Sequence, residues 1–169
     1  MTTPRSTPRD FIAEATRNWE RHGWKDAAPG MATVTSVVRV GQILTTRVEA
    51  ALKPFGITFS RYELLALLMF SSAGSLPMSK ASDRLQVHPA SVTNTVSRLE
   101  KDGLVRRSPD PRDGRGTLVS ITDQGIALLT QATPELNRVF VDLGVTDESR
   151  DAMLKVCKDF RRAAGDTVE

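Results

Sequence analysis

The chain has 169 residues, of which 40% are apolar and 25% are charged, a composition that suits one globular domain with a short extension. No apolar run approaches the roughly 20 residues that a membrane-spanning helix requires, and the polar N-terminus lacks the apolar stretch of a secretory signal. We therefore expect a cytoplasmic protein without a membrane partner. The single cysteine, Cys157, excludes an intrachain disulfide, and the net charge of +3 is a weak indication of a polyanionic partner.

Two helices are predicted in the first third of the chain. Residues 1–9 are rich in Thr, Pro and Arg, and we expect no regular structure there. Apolar residues then recur at helical spacing over residues 11–23. Residues 26–30, DAAPG, are interpreted as a linker, and a long apolar stripe predicts a helix from about Thr33 to Lys53.

The next two segments have the signals of short helices. In FSRYELL, Ser60 is predicted to be the N-cap, and Glu63 three residues later is predicted to complete a capping box. After a short apolar link, SKASDRLQ predicts two helical turns that start at Ser79.

A further helix is predicted to start at Pro89, because proline is favoured at the first helical position, and to end at Gly103 in the left-handed conformation. Its apolar residues fall on one face, which leaves short hydroxyls, an amide and a guanidinium on the other. Such side chains allow close approach to DNA and hydrogen-bond both base edges and phosphates, although Ser and Thr also serve as ordinary surface residues. The inward residues are Val92, Val96 and Leu99, and the outward ones are Ala90, Ser91, Thr93, Asn94, Thr95, Ser97 and Arg98.

The segment from Leu104 to Ile121 predicts a β-hairpin. Residues 104–107 and 117–121 are strand-like, and the prolines and glycines between them are those that a chain reversal needs. Arg112 and Arg115 lie at the predicted tip, which by itself is also compatible with a solvated loop. Two further helices are predicted, over residues 122–142 and 146–164.

The order helix, turn, helix, hairpin is that of a winged helix-turn-helix. The stretch VTNTVSRLEKDGLVRRSPDPRDGRGTLVSITDQG resembles the MarR family of bacterial transcriptional regulators, whose pattern continues through LE..GLV.R and an acidic-basic wing tip to a strand ending in LT..G. The wider resemblance covers about Thr33 to Arg162. It implies a homodimer with interleaved first and last helices that recognises a roughly palindromic operator in double-stranded DNA.

The resemblance also assigns roles to residues of the wing. It implies that the carboxylate of Asp113 orients the guanidinium of Arg115, which enters the minor groove, while Gly114 stands where the family often has a second arginine. His88 stands where the family usually has a Ser or Thr N-cap, and because histidine caps poorly we expect it not to do the same work. The predicted DNA-binding set is completed by Ser79, Arg106, Arg107 and Arg112.

An N-terminal helix with a tryptophan resembles the urate-responsive branch of the family, where that helix helps to form a ligand pocket. The resemblance implies ligand-binding roles for Trp19, Tyr62 and Glu63. The chain departs from that branch at Glu63, where an aspartate is expected, and at Thr95, where an arginine is expected. A hydrophobic anchor for Trp19 and the capping box for Glu63 are the alternative interpretations.

We therefore predict a mostly α-helical protein with a small β-hairpin wing. The predicted regions are an N-terminal arm with a short helix (1–30), a helical dimerisation region (31–57 and 122–164) and the winged helix-turn-helix (58–121). No nucleophile motif, phosphate-binding loop or set of metal ligands at the required spacing occurs in the sequence, so we expect neither an enzyme nor a cofactor.

The predicted function is a DNA-binding regulator, a repressor that an unknown small aromatic or lipophilic acid releases. The alternatives are a winged-helix protein-interaction module and a redox sensor acting through Cys157, for which a buried core thiol is the competing interpretation.

Overall fold

The computed structural model describes residues 9–111 and 113–169, and for Gly114 and Arg115 it describes only the backbone. The fold is mostly helical with a small antiparallel sheet, as the sequence predicts. Its elements in chain order are α1 (Phe11–Arg21), α2 (Ala28–Leu52), a 3-10 turn (Lys53–Phe55), α3 (Phe59–Met69), β1 (Ser75–Pro77), α4 (Met78–Leu85), α5 (Pro89–Lys101), β2 (Val105–Asp110), β3 (Asp113–Ile121), α6 (Asp123–Val141) and α7 (Asp147–Ala163). The expectation for residues 1–8 lies outside the described residues.

The chain divides into two units, one that ends at Thr46 and one that begins at Arg47. In the N-terminal unit, the carboxylate of Asp10 caps α1 by accepting hydrogen bonds from the backbone N–H groups of Ile12 and Ala13 at 3.1 and 3.0 Å. The ring centroids of Trp19 and Trp24 lie 5.2 Å apart in an edge-to-face arrangement, which is a favourable geometry for two aromatic rings.

Helix α2 begins earlier than the sequence pattern indicates. Residues 28–30 belong to the helix, so their interpretation as part of a linker is wrong. Pro29 lies in the first helical turn, where the N–H that proline lacks would have no intrahelical acceptor. Pro29 and Gly30 therefore lie in the first turn of α2, and they do not separate it from the preceding segment as a linker would.

The second unit is built around one core in which α3, α4 and α5 pack together with the sheet and with α6. The largest fully buried side chains are Leu52, Leu64, Leu65, Leu68, Leu99, Leu129, Leu136, Val92, Val96 and Val119. Burial of a leucine contributes about 1.5–3 kcal/mol, so this cluster positions the elements that surround it. Within the described residues, no helix is long and apolar enough to cross a membrane.

The sheet has three strands in the order β1-β3-β2, and all its neighbours are antiparallel. Strand β1 lies where the sequence predicts only a short apolar link. It is only a few residues long, and it becomes a strand because Leu76 pairs with Val119 and is buried against the core. Its pairing depends on the distant strand β3, and no local sequence signal reports that contact.

Gly103 makes the tight connection from α5 to the wing that the sequence predicts. Its φ of 73° lies in the left-handed region, and the Leu104 N–H donates to the Leu99 carbonyl at 2.9 Å across the helix end, as in a Schellman motif. The Thr122 hydroxyl in turn donates to the Gly103 carbonyl at 2.7 Å and accepts from the Gly125 N–H at 3.1 Å. The end of α5 and the start of α6 are thereby joined at the base of the wing.

The predicted capping box of α3 is wrong. The helix begins at Phe59, one residue before Ser60, and its N-cap Thr58 makes no side-chain capping bond. Instead the carboxylate of Glu49 on α2 accepts a hydrogen bond from the Phe59 N–H at 2.9 Å. The cap comes from another helix, so a search for Ser-x-x-Glu could not find it.

The Glu49 contact predicts that Glu49→Ala lowers the free energy of unfolding by about 1 kcal/mol, since loss of a helix cap typically costs that much. Ser60→Ala is the matched control, and it should change stability by less than about 0.5 kcal/mol because the serine does not cap the helix. Urea denaturation followed by circular dichroism at one protein concentration measures both. If both substitutions lowered the free energy of unfolding equally, Ser60 would contribute to the cap and the assignment of the cap to Glu49 alone would be wrong.

Candidate nucleic-acid interface

The side chain of His88 caps the start of helix α5, contrary to the expectation from the sequence. The Nδ1 atom of His88 accepts a hydrogen bond from the Ala90 N–H at 3.2 Å, so the expectation that His88 would not cap is wrong. The imidazole must be unprotonated at Nδ1 to accept this bond. Pro89 occupies the first turn as predicted.

The two faces of α5 are separated as the sequence predicts. Val92, Val96 and Leu99 are buried. The opposite face lies at the protein surface: Ala90, Ser91, Thr93, Asn94, Ser97 and Arg98 are exposed and Thr95 is half-buried. Ser79 is exposed in the first turn of α4.

The hydroxyl groups of this face are oriented by the helix itself. Thr93, Thr95 and Ser97 donate to the carbonyls of Pro89, Ser91 and Thr93 at 3.0, 2.9 and 2.8 Å. The hydroxyls of Thr93 and Thr95 are then left with lone pairs, rather than a proton, for an outside partner, whereas the Ser97 hydroxyl accepts a hydrogen bond from Arg107. Asn94 and Arg98 make no side-chain hydrogen bond or ion pair within the described part of the chain and lie one turn apart, so they can donate to a base edge.

The two arginines of β2 differ in their surroundings. Arg106 is exposed, whereas Arg107 is half-buried and points to α5. The Nη2 atom of Arg107 donates to the Ser97 hydroxyl at 2.6 Å and to the Thr93 carbonyl at 3.3 Å. Glu100 accepts from the Arg107 backbone N–H at 3.0 Å and its carboxylate lies 3.6 Å from Nη1. Arg107 therefore connects the wing to α5.

Glu100 was missed as a member of this site. It lies on α5 and binds both the backbone and the side chain of Arg107 on β2. A second link was also missed: Arg61 at the start of α3 forms an ion pair with Asp102 at the end of α5. The sequence indicates only ordinary surface charges at Glu100, Arg61 and Asp102, because the partner of each lies on another element.

The tip of the wing is described in part. Arg112 lies outside the described residues, as does the side chain of Arg115, although its backbone belongs to β3. Asp113 is exposed and takes part in an interaction within the chain. The strand pairing is irregular between Pro109 and Asp110, where the register shifts: Pro109 pairs with Thr117 and Asp110 with Asp113.

The predicted ligand residues fall in both units. Trp19 belongs to the N-terminal unit, where it is about one third exposed. In the other unit, the hydroxyls of Tyr62 and Thr133 lie 2.9 Å apart, and since Thr133 already donates to the Leu129 carbonyl at 2.7 Å, Tyr62 is the donor between them. Glu63 faces a cavity of about 60 Å³ that Thr95 also lines, and loss of water raises the pKa of its carboxyl group.

Cys157 is exposed on α7, so its expected place in the core is wrong. Among the residues that the structure describes, no three His, Cys, Asp or Glu side chains are grouped as metal ligands.

The structure contains helix α4, a turn, helix α5 with a polar outer face, and a wing that is bonded to α5. This arrangement is that of a winged helix-turn-helix DNA-binding protein, in which α5 is the recognition helix.

Comparisons with known proteins identify the family. The sequence model of the MarR family matches residues 59–117. The crystal structure of Sco5413, a MarR family transcriptional regulator from Streptomyces coelicolor, is 46% identical, covers 83% of this chain and 99% of that one, and superposes with a TM-score of 0.75.

Two further proteins are similar over shorter or more divergent stretches. The HTH-type transcriptional repressor Rv2887 of Mycobacterium tuberculosis is 32% identical over 94 residues, which are 56% of this chain and 66% of the repressor. The structure of CouR from Rhodococcus jostii RHA1 bound to p-coumaroyl-CoA is 26% identical, covers 79% of this chain and 92% of CouR, and has a TM-score of 0.63. The chain belongs to the MarR family, whose members are transcriptional regulators that bind DNA and not enzymes.

The different surroundings of Arg106 and Arg107 predict different effects on DNA binding. Arg106→Ala should weaken binding to all sequences alike and lower the slope of log affinity against log salt by about one, because an exposed arginine can contact a phosphate. Arg107→Ala should weaken binding with little change in that slope and should speed amide hydrogen exchange in β2, because it releases the wing from α5. Fluorescence anisotropy across a salt series measures the first effect. A reduced salt slope in both variants would place both arginines on phosphates.

Proposed function

We propose that this protein is a homodimeric repressor that binds a roughly palindromic operator and leaves it when a small aromatic or lipophilic acid binds. The observation that carries the DNA-binding part is the outer face of α5, where Asn94 and Arg98 are exposed beside hydroxyls that present lone pairs. An ordinary solvated helix has no need for such short side chains, whereas a helix in the major groove does. A regulator of this kind acts in the cytoplasm, where a bacterial chromosome lies.

Recognition is proposed to use the helix and the wing together. Asn94 and Arg98 read base edges in the major groove, while Ser79 at the start of α4, Arg106 and Arg112 bind phosphates. Arg115 enters the minor groove, oriented by Asp113, because a narrow minor groove is strongly negative and attracts arginine. Arg107 contributes through the wing that it ties to α5.

Unpartnered apolar surface supports the homodimer. Helix α7 has 17 residues, none of which is buried in the single chain, and an isolated helix of that length is marginal in water. In the N-terminal part of α2 a row of valines is also exposed. Contiguous apolar surface of this kind marks a protein interface. The exposed residues are Val34, Val37, Val38 and Ile43 on α2, and Met153, Leu154, Val156 and Phe160 on α7.

A two-fold dimer would present two recognition helices about 34 Å apart, which is one turn of DNA. Where such an operator overlaps the DNA that polymerase needs, bound protein excludes polymerase, and the proposed repression follows. The name of the mycobacterial relative, a transcriptional repressor, supports this direction of regulation.

The effector is proposed to be a small aromatic or lipophilic acid. In support, CouR, a structural relative, binds p-coumaroyl-CoA, whose acyl group is derived from an aromatic acid. The proposed contacts of the ligand are Tyr62, Glu63 and, at the N-terminal helix, Trp19. Release requires that the ligand bind the DNA-incompetent state more tightly than the DNA-bound state, since equal affinity for both shifts nothing.

The recognition face predicts that Asn94→Ala costs about 1–3 kcal/mol of operator binding, because an asparagine that pairs with an adenine edge loses both hydrogen bonds. Gln131→Ala is the matched control: it removes an exposed amide from α6 and should bind like wild type. The operator is selected from random DNA and affinities are measured at a fixed salt concentration. Wild-type affinity of the Asn94 variant for every selected sequence would contradict the assigned recognition face.

The exposed apolar helices predict a dimer at micromolar concentration in sedimentation equilibrium. Leu154→Glu should shift the mass toward the monomer, because burial of an unpaired carboxylate in an apolar interface is costly. Val87→Glu changes an exposed apolar residue outside both faces and should leave the dimer intact. A monomeric wild-type protein would refute the homodimer.

A further inference from the structure

The N-terminal unit contains a cavity of about 530 Å³ at the turn between α1 and α2. We call it the tryptophan pocket. Its lining consists of Trp19, Gly23, Trp24, Asp26 and Ala27, so it lies wholly within one unit of the structure. Its volume is in the range of small-molecule sites, about 300–1,000 Å³.

The backbone holds the two tryptophans of this pocket next to each other. Gly23 has a φ of 89°, in the left-handed region that glycine adopts readily, and this allows the chain to turn after α1. Across the turn, the Trp24 N–H donates to the Trp19 carbonyl at 3.1 Å. The two ring planes are inclined at 64° with their centroids 5.2 Å apart. Rings at this angle form a corner, so one small group can contact both.

A third ring supports Trp24. The imidazole of His22 stacks on the Trp24 ring with the two centroids 5.7 Å apart. The Nδ1 atom of His22 lies 2.8 Å from the Asn18 carbonyl, and because a carbonyl can only accept, Nδ1 is the donor. Even so, Trp24 is 53% exposed and Trp19 is 36% exposed. The two indole rings are therefore held in position without being buried in a core.

The charge of the pocket is negative. Among the described residues that line it, only Asp26 carries a charge. Asp26 is exposed, and its carboxylate makes no hydrogen bond or ion pair within the described part of the chain. The face of an indole ring attracts a cation, and the carboxylate adds to that attraction. The same groups repel an anion, so any acid that contacts Trp19 must do so outside this pocket.

The small number of acceptors in the pocket selects among cations. A primary ammonium has three N–H donors and a guanidinium has five, and each donor that leaves water needs an acceptor. The described side chains of the pocket offer one acceptor group, the carboxylate of Asp26. A quaternary ammonium has no N–H donor, and aromatic rings recognise it through their faces.

We propose that the tryptophan pocket binds a small quaternary ammonium compound, with its methyl groups against Trp19 and Trp24 and its charge near Asp26. The inference goes beyond the proposed function, because binding of this cation requires neither DNA nor the acid effector.

The same chemistry selects the source of the ammonium group. A trimethylammonium group occurs in free choline and also in the phosphocholine headgroup of a lipid. In phosphocholine a phosphate lies close to the ammonium, and the carboxylate of Asp26 would repel it. The pocket is therefore assigned to the free cation, and choline should bind more tightly than phosphocholine.

The test is a titration of the isotope-labelled, full-length protein with choline chloride, and sodium chloride at equal concentrations is the ionic control. The chain has two tryptophans, so its two indole N–H signals report directly on the pocket. Both signals should shift along one saturable curve in the millimolar range, since exposed cation–π contacts are weak. The neutral isostere 3,3-dimethyl-1-butanol should bind at least about fivefold more weakly, because it lacks the charge.

Substitutions test the contribution of each side chain. Asp26→Asn should weaken choline binding about threefold or more, because it removes the carboxylate charge. Trp24→Leu should weaken it by a similar factor, whereas Trp24→Phe should bind choline more tightly than Trp24→Leu, because phenylalanine keeps an aromatic face. Asp123→Asn makes the same chemical change at an exposed carboxylate outside the pocket and should bind like wild type.

Three outcomes would overturn the proposal. The first is that neither indole signal shifts beyond the sodium chloride control at tens of millimolar choline. The second is equal affinity for choline and its neutral isostere, or unchanged choline affinity in Asp26→Asn and Trp24→Leu while circular dichroism shows both folded. The third is tighter binding of phosphocholine than of choline. Operator binding does not enter this titration, so a failure here leaves the proposed function intact, and the reverse also holds.

Discussion

The burial of one apolar stripe on α5 determines how the whole DNA-binding surface is oriented. Val92, Val96 and Leu99 are almost completely removed from solvent, and rotation of the helix about its axis would expose them at a cost of several kcal/mol. Asn94 and Arg98 are therefore held outward by the packing of their neighbours. These two side chains make no hydrogen bond within the described residues, so the proposed DNA contacts would not have to break any.

Hydrogen bonds and ion pairs then hold the wing and α3 in a fixed position relative to α5. Arg107 bonds the wing to Ser97 and Glu100, and Arg61 bonds the start of α3 to Asp102 at the other end of the helix. Each link joins residues from different elements and lies partly exposed, so its strength is modest. Such links set geometry more than stability, and the proposed contacts of α5 and the wing with two grooves of DNA depend on that geometry.

The exposed surface has two kinds of unmatched chemistry. The long helices α2 and α7 expose valine, leucine and phenylalanine side chains, which a second copy of the chain would cover in the proposed dimer. The surface between the end of α3 and α4 exposes Phe70, Lys80 and Arg84.

The helices, the hairpin, the two faces of α5 and the family could be predicted from the sequence alone, because each depends on local periodicity, turn residues or one continuous motif. The cap of α3, the strand β1 and the partners of Arg107 depend instead on contacts between elements that are distant in the chain. Glu49 and Phe59, Leu76 and Val119, and Arg107 and Ser97 meet through the fold. A contact between distant residues has no local sequence pattern that predicts it. The two residues meet only because the packing of the core brings their elements together.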